Sequence, residues 1–299
     1  MRPIAVALWV AVALAPPAGA QEAPKADTLR AADGWRSSLR ATLAGNQSAY
    51  SNWQEGGVSA LAATGAVDGQ FDRVVGRVLT TQALRLAFGV LRQDTLDVRK
   101  ALDVARYEAT AELASDNPVR PSAAVSVRSQ FAAGFDYAPT PERYPTLPVV
   151  PGQELKVSDA ASPLVLTQSF GLAYRPGGGF VARAGLGLKE TVVAIARLRP
   201  VYGNAPDQAL RLEAGLDAEA AYEREVMDNV TVRSRLVTFQ GFGQIGQEAP
   251  DALWENGLVL KVNDLVDVTI DATALYDADV VRDVQLRQAL SVGLSVDLL

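Results

Sequence analysis

Along much of the chain, apolar and polar residues alternate one for one. From Val284 to Leu298 the even positions read Val284, Leu286, Gln288, Leu290, Val292, Leu294, Val296 and Leu298. The odd positions read Gln285, Arg287, Ala289, Ser291, Gly293, Ser295 and Asp297. Side chains of a strand point alternately to its two faces, so this segment has one apolar and one polar face. The same rhythm sets Leu210, Leu212, Ala214, Leu216, Ala218, Ala220 and Tyr222 against Arg211, Glu213, Gly215, Asp217, Glu219 and Glu223. It sets Val266, Val268, Ile270, Ala272, Ala274 and Tyr276 against Asp267, Thr269, Asp271 and Thr273, and Phe180, Ala182, Ala184, Leu186 and Leu188 against Arg183, Gly185, Gly187 and Lys189. A helix with charges at every second position would bury some of them on any face, so these are strands.

The alternation predicts twelve strands, at residues 36–46, 57–68, 75–90, 98–114, 120–136, 163–175, 179–193, 208–223, 229–243, 252–262, 265–277 and 283–298. The fourth and ninth are less regular. In the ninth, Val230, Val232 and Leu236 keep one phase and Val237 and Phe239 take the other, which a β-bulge would produce. Crossing a hydrocarbon core takes about 9–11 tilted strand residues, whereas globular strands run about 5–6. These segments are long enough to cross.

The connections fall into two alternating sets. Short turns such as Arg175-Pro176-Gly177-Gly178-Gly179, Met227-Asp228-Asn229 and Asn263-Asp264 join strands two to three, four to five, six to seven, eight to nine and ten to eleven. Longer ones cover residues 46–56, 91–97, 136–162, 190–207, 244–251 and 277–282. That order is expected when one rim of a barrel faces the periplasm and the other the outside, and an even strand count puts both termini at the periplasmic rim. The fold expected is all-β, an antiparallel transmembrane up-and-down β-barrel of about twelve strands over residues 35–299. The longest connection, 136–162, carries Pro139, Pro141, Pro145, Pro148 and Pro151. It reads as a solvated, extended surface loop, the alternative being a lid over the outer mouth.

Ahead of the barrel, Met1-Arg2, the apolar run Ile4 to Ala15, Pro16-Pro17 and Ala18-Gly19-Ala20 read as a cleavable signal peptide over residues 1–20. The run is too short to span a bilayer as a helix, which takes roughly 20 residues. Residues 21–34 read as a polar, flexible start. The expected location is the bacterial outer membrane.

Composition narrows the chemistry. The chain has no cysteine and no histidine, which rules out Ser-His-Asp and Cys-His catalysis and thiolate or imidazole metal sites. A formal net charge of −6 argues against a nucleic-acid partner. No enzyme activity and no cofactor is expected.

At Ser48-Ala49-Tyr50-Ser51-Asn52-Trp53-Gln54-Glu55-Gly56-Gly57 the chain resembles the Ser-Asn-Trp-x-x-Gly-Gly segment of a family of bacterial outer-membrane barrel proteins, a domain-of-unknown-function family common in Bacteroidota-like bacteria. The matching motif residues are Ser51, Asn52, Trp53, Gly56 and Gly57. Leu86 to Leu91, Arg99 to Asp103, Gln130 to Phe135, Gly171 to Pro176, Glu225 to Thr231 and Tyr276 to Val280 are similar to later blocks in the same order. The resemblance implies an outer-membrane barrel and no assigned activity. One departure is the chain end, Asp297-Leu298-Leu299, where such barrels commonly carry an aromatic residue read by the insertion machinery.

The candidate site is the polar face of the strands, which a barrel turns inward. It comprises Arg183, Lys189, Arg211, Glu213, Asp217, Glu219, Arg233, Asp267, Asp271 and Arg287. Pairs such as Asp217 with Glu219, or Asp267 with Asp271, share a face and are expected to form a salt-bridge network with these bases, Arg235 and Lys261; an acid–base dyad or a calcium site is the alternative. Asp277 and Asp279 read as solvated loop acids. Trp35, Trp53, Trp254, Tyr174 and Tyr222 read as interfacial anchors.

Twelve strands lie between the roughly eight that side chains fill and the 16–18 that leave an aqueous channel. The expected function is a narrow pore or transporter-like barrel for small solutes. A non-conducting surface scaffold or binding barrel acting through its long loops is the alternative. The partners expected are outer-membrane lipids, the barrel-insertion machinery and small solutes.

Overall fold

Twelve strands hydrogen-bond in chain order until the last meets the first, in a computed structural model that describes residues 34–49, 59–94 and 96–299. They are β1 (Gly34–Ser48), β2 (Ala60–Val75), β3 (Val78–Gln93), β4 (Arg99–Leu113), β5 (Val119–Ser129), β8 (Leu164–Gly177), β9 (Phe180–Val192), β10 (Leu210–Met227), β11 (Val230–Gly241), β12 (Asp251–Lys261), β13 (Val266–Asp277) and β14 (Val281–Asp297). Two short strands, β6 (Gly134–Asp136) and β7 (Leu155–Ser158), pair with each other off the barrel, so β5 meets β8 directly. Every pairing is antiparallel, and β1 closes on β14 from Arg40 opposite Asp297 to Gly45 opposite Val292. Closure leaves no sheet edge to be satisfied, which is what a strand fold needs in order to cross lipid. The leader, the polar start and the segment of Ser51, Asn52, Trp53, Gly56 and Gly57 lie outside the described residues.

The packing is inside-out. Leu286 and Phe170 on the outward face are 74 and 70 % exposed, while Glu112, Arg120 and Lys189 on the inward face are 1, 6 and 7 % exposed. Water would favour the reverse, since each buried apolar side chain is worth about 1.5–3 kcal/mol. An exterior of this kind is matched to hydrocarbon. Several of its polar atoms pair with one another: Trp254 Nε1 donates to Ser234 Oγ at 3.1 Å, Ser234 Oγ donates to Asn256 Oδ1 at 2.8 Å, and Tyr107 Oη donates to Gln82 Oε1 at 2.9 Å. Trp35, Tyr174 and Tyr222 sit on the outward face near the short-turn rim, with Arg73 stacked 5.1 Å from the Trp35 ring.

Two turn positions depend on residue type. Gly179 has φ +82°, and a Cβ there would lie 2.0 Å from Glu223 O; Asn229 holds φ +65°, which its short side chain tolerates.

Three expectations are corrected. β11 carries no bulge: it pairs with β12 in unbroken register from Val230 to Phe239. Val237 and Phe239 simply face inward, because glycines there leave a flat surface for a ring. A Cβ on Gly215 or Gly187 would lie 2.9 or 3.2 Å from the Phe239 ring. β5 ends at Ser129, since Gly134–Asp136 has left the barrel wall. β2 runs on to Val75, so the turn to β3 is only Gly76-Arg77.

Candidate functional site

The structure places the ten candidate residues on the inward face, where the alternation of each strand aims them. β10 turns Arg211, Glu213, Asp217 and Glu219 inward; β9 contributes Arg183 and Lys189, opposite Glu219 and Glu213 in register. Arg233 of β11, Asp267 and Asp271 of β13 and Arg287 of β14 share the same face.

Only some of them meet. Near the long-loop mouth, Lys189 Nζ lies 2.6 Å from Asp251 and 3.1 Å from Glu213, over the Phe239 ring at 4.8 Å. Arg211 bridges Glu213 at 3.2 Å and Asp279 at 2.6 Å. The acids Asp251, Asp277 and Asp279 come within 4.8 Å of one another, so Asp277 and Asp279 belong to this cluster rather than to a solvated loop. Deeper, Glu219 is shared by Arg183 and Arg235. Among the described residues Arg233 makes no ion pair: it packs beside Asp271 over Gly257, where a Cβ would lie 3.4 Å from Asp271 Oδ1 and 3.7 Å from Arg233 Nε. Arg287 reaches only Thr273 Oγ1, at 3.4 Å, and Lys261 turns to Asp264 in its own turn at 3.4 Å. Asp217 is likewise unpaired by any base.

The residues that organise the interior are ones the alternation in β10 and β13 does not reveal. Arg106 of β4 holds Glu255 of β12 at 2.6 Å, and Arg235 of β11 holds Glu108 of β4 at 2.6 Å while also reaching Glu255 at 3.3 Å. In the ring, β4 and β12 stand six places apart out of twelve, on opposite walls. Twelve strands about 4.8 Å apart and tilted about 40° give a round barrel roughly 24 Å across. An arginine and a glutamate joined end to end span only about 15 Å between Cα atoms. The section is therefore flattened, pinched between β4 and the β11–β12 wall. A signal for half of this pinch stands in the fourth strand, where Arg106, Glu108, Thr110 and Glu112 alternate with Tyr107, Ala109 and Ala111. Glu255 is harder to find, because Leu253 and Val259 share its face.

The pinch does not fill the whole section. Arg128, on the inward face of β5 opposite Arg106 in register, is exposed. A space of about 30 Å³ lies beside the network, lined by Thr110, Ser126, Thr167, Ser169, Asp217 and Val237 among others. At the short-turn end a larger polar cavity of about 330 Å³ opens, with Arg40, Lys261, Asp267, Ser295 and Asp297 in its wall.

Above the long-loop mouth sits the one apolar core of buried residues among those described, and it corrects the expectation of an extended, solvated Pro-rich loop. Tyr144, Leu147 and Leu155 of that loop pack with Val193, Leu198 and Val201 of the β9–β10 connection, where Ala196–Tyr202 forms a 3-10 helix. The prolines stiffen the loop and the apolar residues between them give it something to pack on. Burial pushes the phenols of Tyr144 and Tyr202 up to about 12, so at neutral pH both stay protonated and donate, to Asp136 and to Val157 O, each at 2.9 Å. The root of this cap is tied to β4: Asp103 accepts from Phe131 N at 2.7 Å and Ala132 N at 2.9 Å, and Lys100 donates to Ala132 O at 2.8 Å. Its tip leans over the mouth, since a Cβ on Gly203 would lie 3.0 Å from Asp279 Cβ and 3.1 Å from Arg211 Nη1. Leu198→Ala removes a fully buried anchor and should cost the cap about 2–5 kcal/mol. The expected result is faster proteolysis within residues 136–162 with the barrel itself unchanged in its resistance to detergent and heat.

Comparison with known proteins adds little to this geometry. A family model described as "Protein of unknown function (DUF3078)" matches residues 45–135, under a third of the chain. No curated protein matches the sequence. Among solved structures, the translocator domain of the autotransporter NalP from Neisseria meningitidis is 9 % identical, with a TM-score of 0.35 over 90 % of this chain and 91 % of that one. An outer membrane channel from Pseudomonas putida F1 is 9 % identical, with a TM-score of 0.38 over 87 and 93 %. The toluene transporter TodX from Pseudomonas putida is 9 % identical, with a TM-score of 0.31 over 91 and 90 %. At scores this low the likeness says nothing of what this chain conducts or binds.

Proposed function

We propose that this chain is an outer-membrane barrel, exported through a cleavable leader, whose pinched and charged interior is a narrow polar pore for small solutes. One observation carries the reading: a lumen bridged from wall to opposite wall by Arg106–Glu255 and Arg235–Glu108, with a small polar space within the network and a larger one at the short-turn end. A barrel built only as a scaffold gains nothing from lining its axis with charges that must be paired to be tolerated. The apolar exterior supports the membrane, and the leader supports the export route. A pore of this kind passes ions slowly and with charge selectivity. In planar bilayers the refolded protein should give small, discrete current steps. Silence there would turn the case to the scaffold, whose working surface is the cap.

The cap also supports an orientation. It belongs to the long connections, so the reading puts it outside the cell and the Arg175–Gly179 turn in the periplasm. An epitope inserted beside Pro148 should be reached by antibody on intact cells, and one at Gly178 only after permeabilisation. The opposite accessibility would invert the topology.

A further inference from the structure

The short-turn cavity contains a charge that the rest of the interior leaves unanswered. Asp267, at the start of β13, is 8 % exposed and lies in the wall of the cavity of about 330 Å³. Glu112, Glu213 and Glu219 each have an arginine or lysine within 4 Å; Asp217 has none but is less buried than Asp267. Asp267 has none among the described residues. The two bases in the same wall are committed elsewhere. Arg40 Nε binds Asp297 at 2.7 Å, and Lys261, which faces Asp267 across the strand pair, turns to Asp264.

What Asp267 does have is a built seat. Its Oδ2 accepts from Ser295 Oγ at 2.5 Å, and Ser295 Oγ is 3.0 Å from Thr42 Oγ1, so hydroxyls of β14 and β1 hold the carboxylate in place. Its Oδ1 lies above Gly293, where a Cβ would come within 2.9 Å, so glycine leaves the room the carboxylate occupies. Around it the cavity wall adds the neutral polar groups of Thr231 and Asn229 and one more acid, Glu225, whose Oε1 accepts from Asn229 N at 3.0 Å. A buried carboxylate with no base within ion-pair distance is costly unless a cation answers it.

We propose that this cavity is a binding site for a small hydrophilic molecule carrying one ammonium group, with Asp267 as its anchor. The class follows from the donor set. A divalent metal wants six or more converging oxygens for calcium, or near-ideal octahedral geometry for magnesium, and here Asp297 and Asp264 are already taken by Arg40 and Lys261. A primary ammonium has three donors and one charge, which one carboxylate and nearby hydroxyl and amide oxygens satisfy. The volume is of the size that small-molecule sites occupy, and the polar wall selects against an apolar body. The site stands whether or not the lumen conducts.

The test is saturation-transfer NMR on the full barrel in detergent micelles, with ethanolamine as probe, ethylene glycol as its uncharged counterpart and glycolate as the anion. Ethanolamine alone should give a signal. Asp267→Asn, which keeps the shape and the bond from Ser295, should reduce that signal at least fivefold, as roughly 1 kcal/mol of lost charge pairing implies. Gly293→Ala should weaken it by crowding the carboxylate. An equal signal from ethylene glycol or glycolate, an undiminished signal in Asp267→Asn, or no signal at all in the wild type would each overturn the proposal. A fluorescence-detected melt of each variant confirms that the barrel is folded, so loss of signal reports the site.

Discussion

Leu290→Arg should destabilise the inserted barrel by about 2–4 kcal/mol, the cost of a basic side chain on the lipid face near the middle of a strand. Leu290 lies on the outward face of β14, 58 % exposed and opposite Ile270 in register, far from either rim. Arg287, three residues earlier on the inward face, makes a single long contact, to Thr273 Oγ1. Arg287→Leu removes an inward charge that no acid compensates, so its cost should stay under about 1 kcal/mol. The measurement is the midpoint of urea unfolding in lipid vesicles for both variants. Equal midpoints would mean that the outward face of β14 does not meet hydrocarbon, and the membrane reading would fall with it.

The second large effect is at the pinch. Arg235 touches Glu108, Glu219 and Glu255, on β4, β10 and β12, so Arg235→Ala leaves three acids facing one another with only Arg106 and Arg183 to answer them. Removing one member of a buried ion pair costs about 3–5 kcal/mol; these side chains keep 17–30 % of their exposure, which places the expected loss near the lower end, about 3 kcal/mol. The functional consequence runs the other way. Arg106→Ala with Arg235→Ala removes both arms that cross the lumen, so conductance should rise several-fold and shift towards cations, because Glu108 and Glu255 then line the constriction without a paired base and Glu219 keeps only Arg183. The glutamines Glu108→Gln and Glu255→Gln keep the bulk of the bridge and should leave the conductance small while weakening its charge selectivity. A double arginine variant that conducts no better than the wild type would remove the pinch as the constriction. By contrast, Arg211→Ala with Arg233→Ala, two of the inward bases the alternation predicts, should open little: Arg211 serves the rim and Arg233 bridges nothing.

How much of this was legible before the fold depends on how local the cause is. Alternation is a property of neighbouring residues, so β10, β13 and β14, whose inward positions are nearly all polar, could be placed on both faces from the chain alone. β11 misled because Val237 and Phe239 are apolar and inward; nothing local says that Gly187 and Gly215, from two other strands, would leave a flat bed for the Phe239 ring. The Pro-rich loop misled for a related reason. Five prolines leave most of it irregular, and only the β9–β10 connection, some fifty residues away, supplies the Leu198 and Val201 that Tyr144 and Leu147 bury against. The amino-acid pattern suffices to say that the chain makes long two-faced strands joined by alternately short and long connections, and which side chains most strands turn inward, because those follow from the two-residue period of an extended backbone. Which of the inward charges meet follows instead from how the barrel closes. Which arginine finds which glutamate depends on where the ring closes and how far it is flattened: β4 and β12 are about 150 residues apart in the chain, and the closed barrel sets them face to face across its narrow axis.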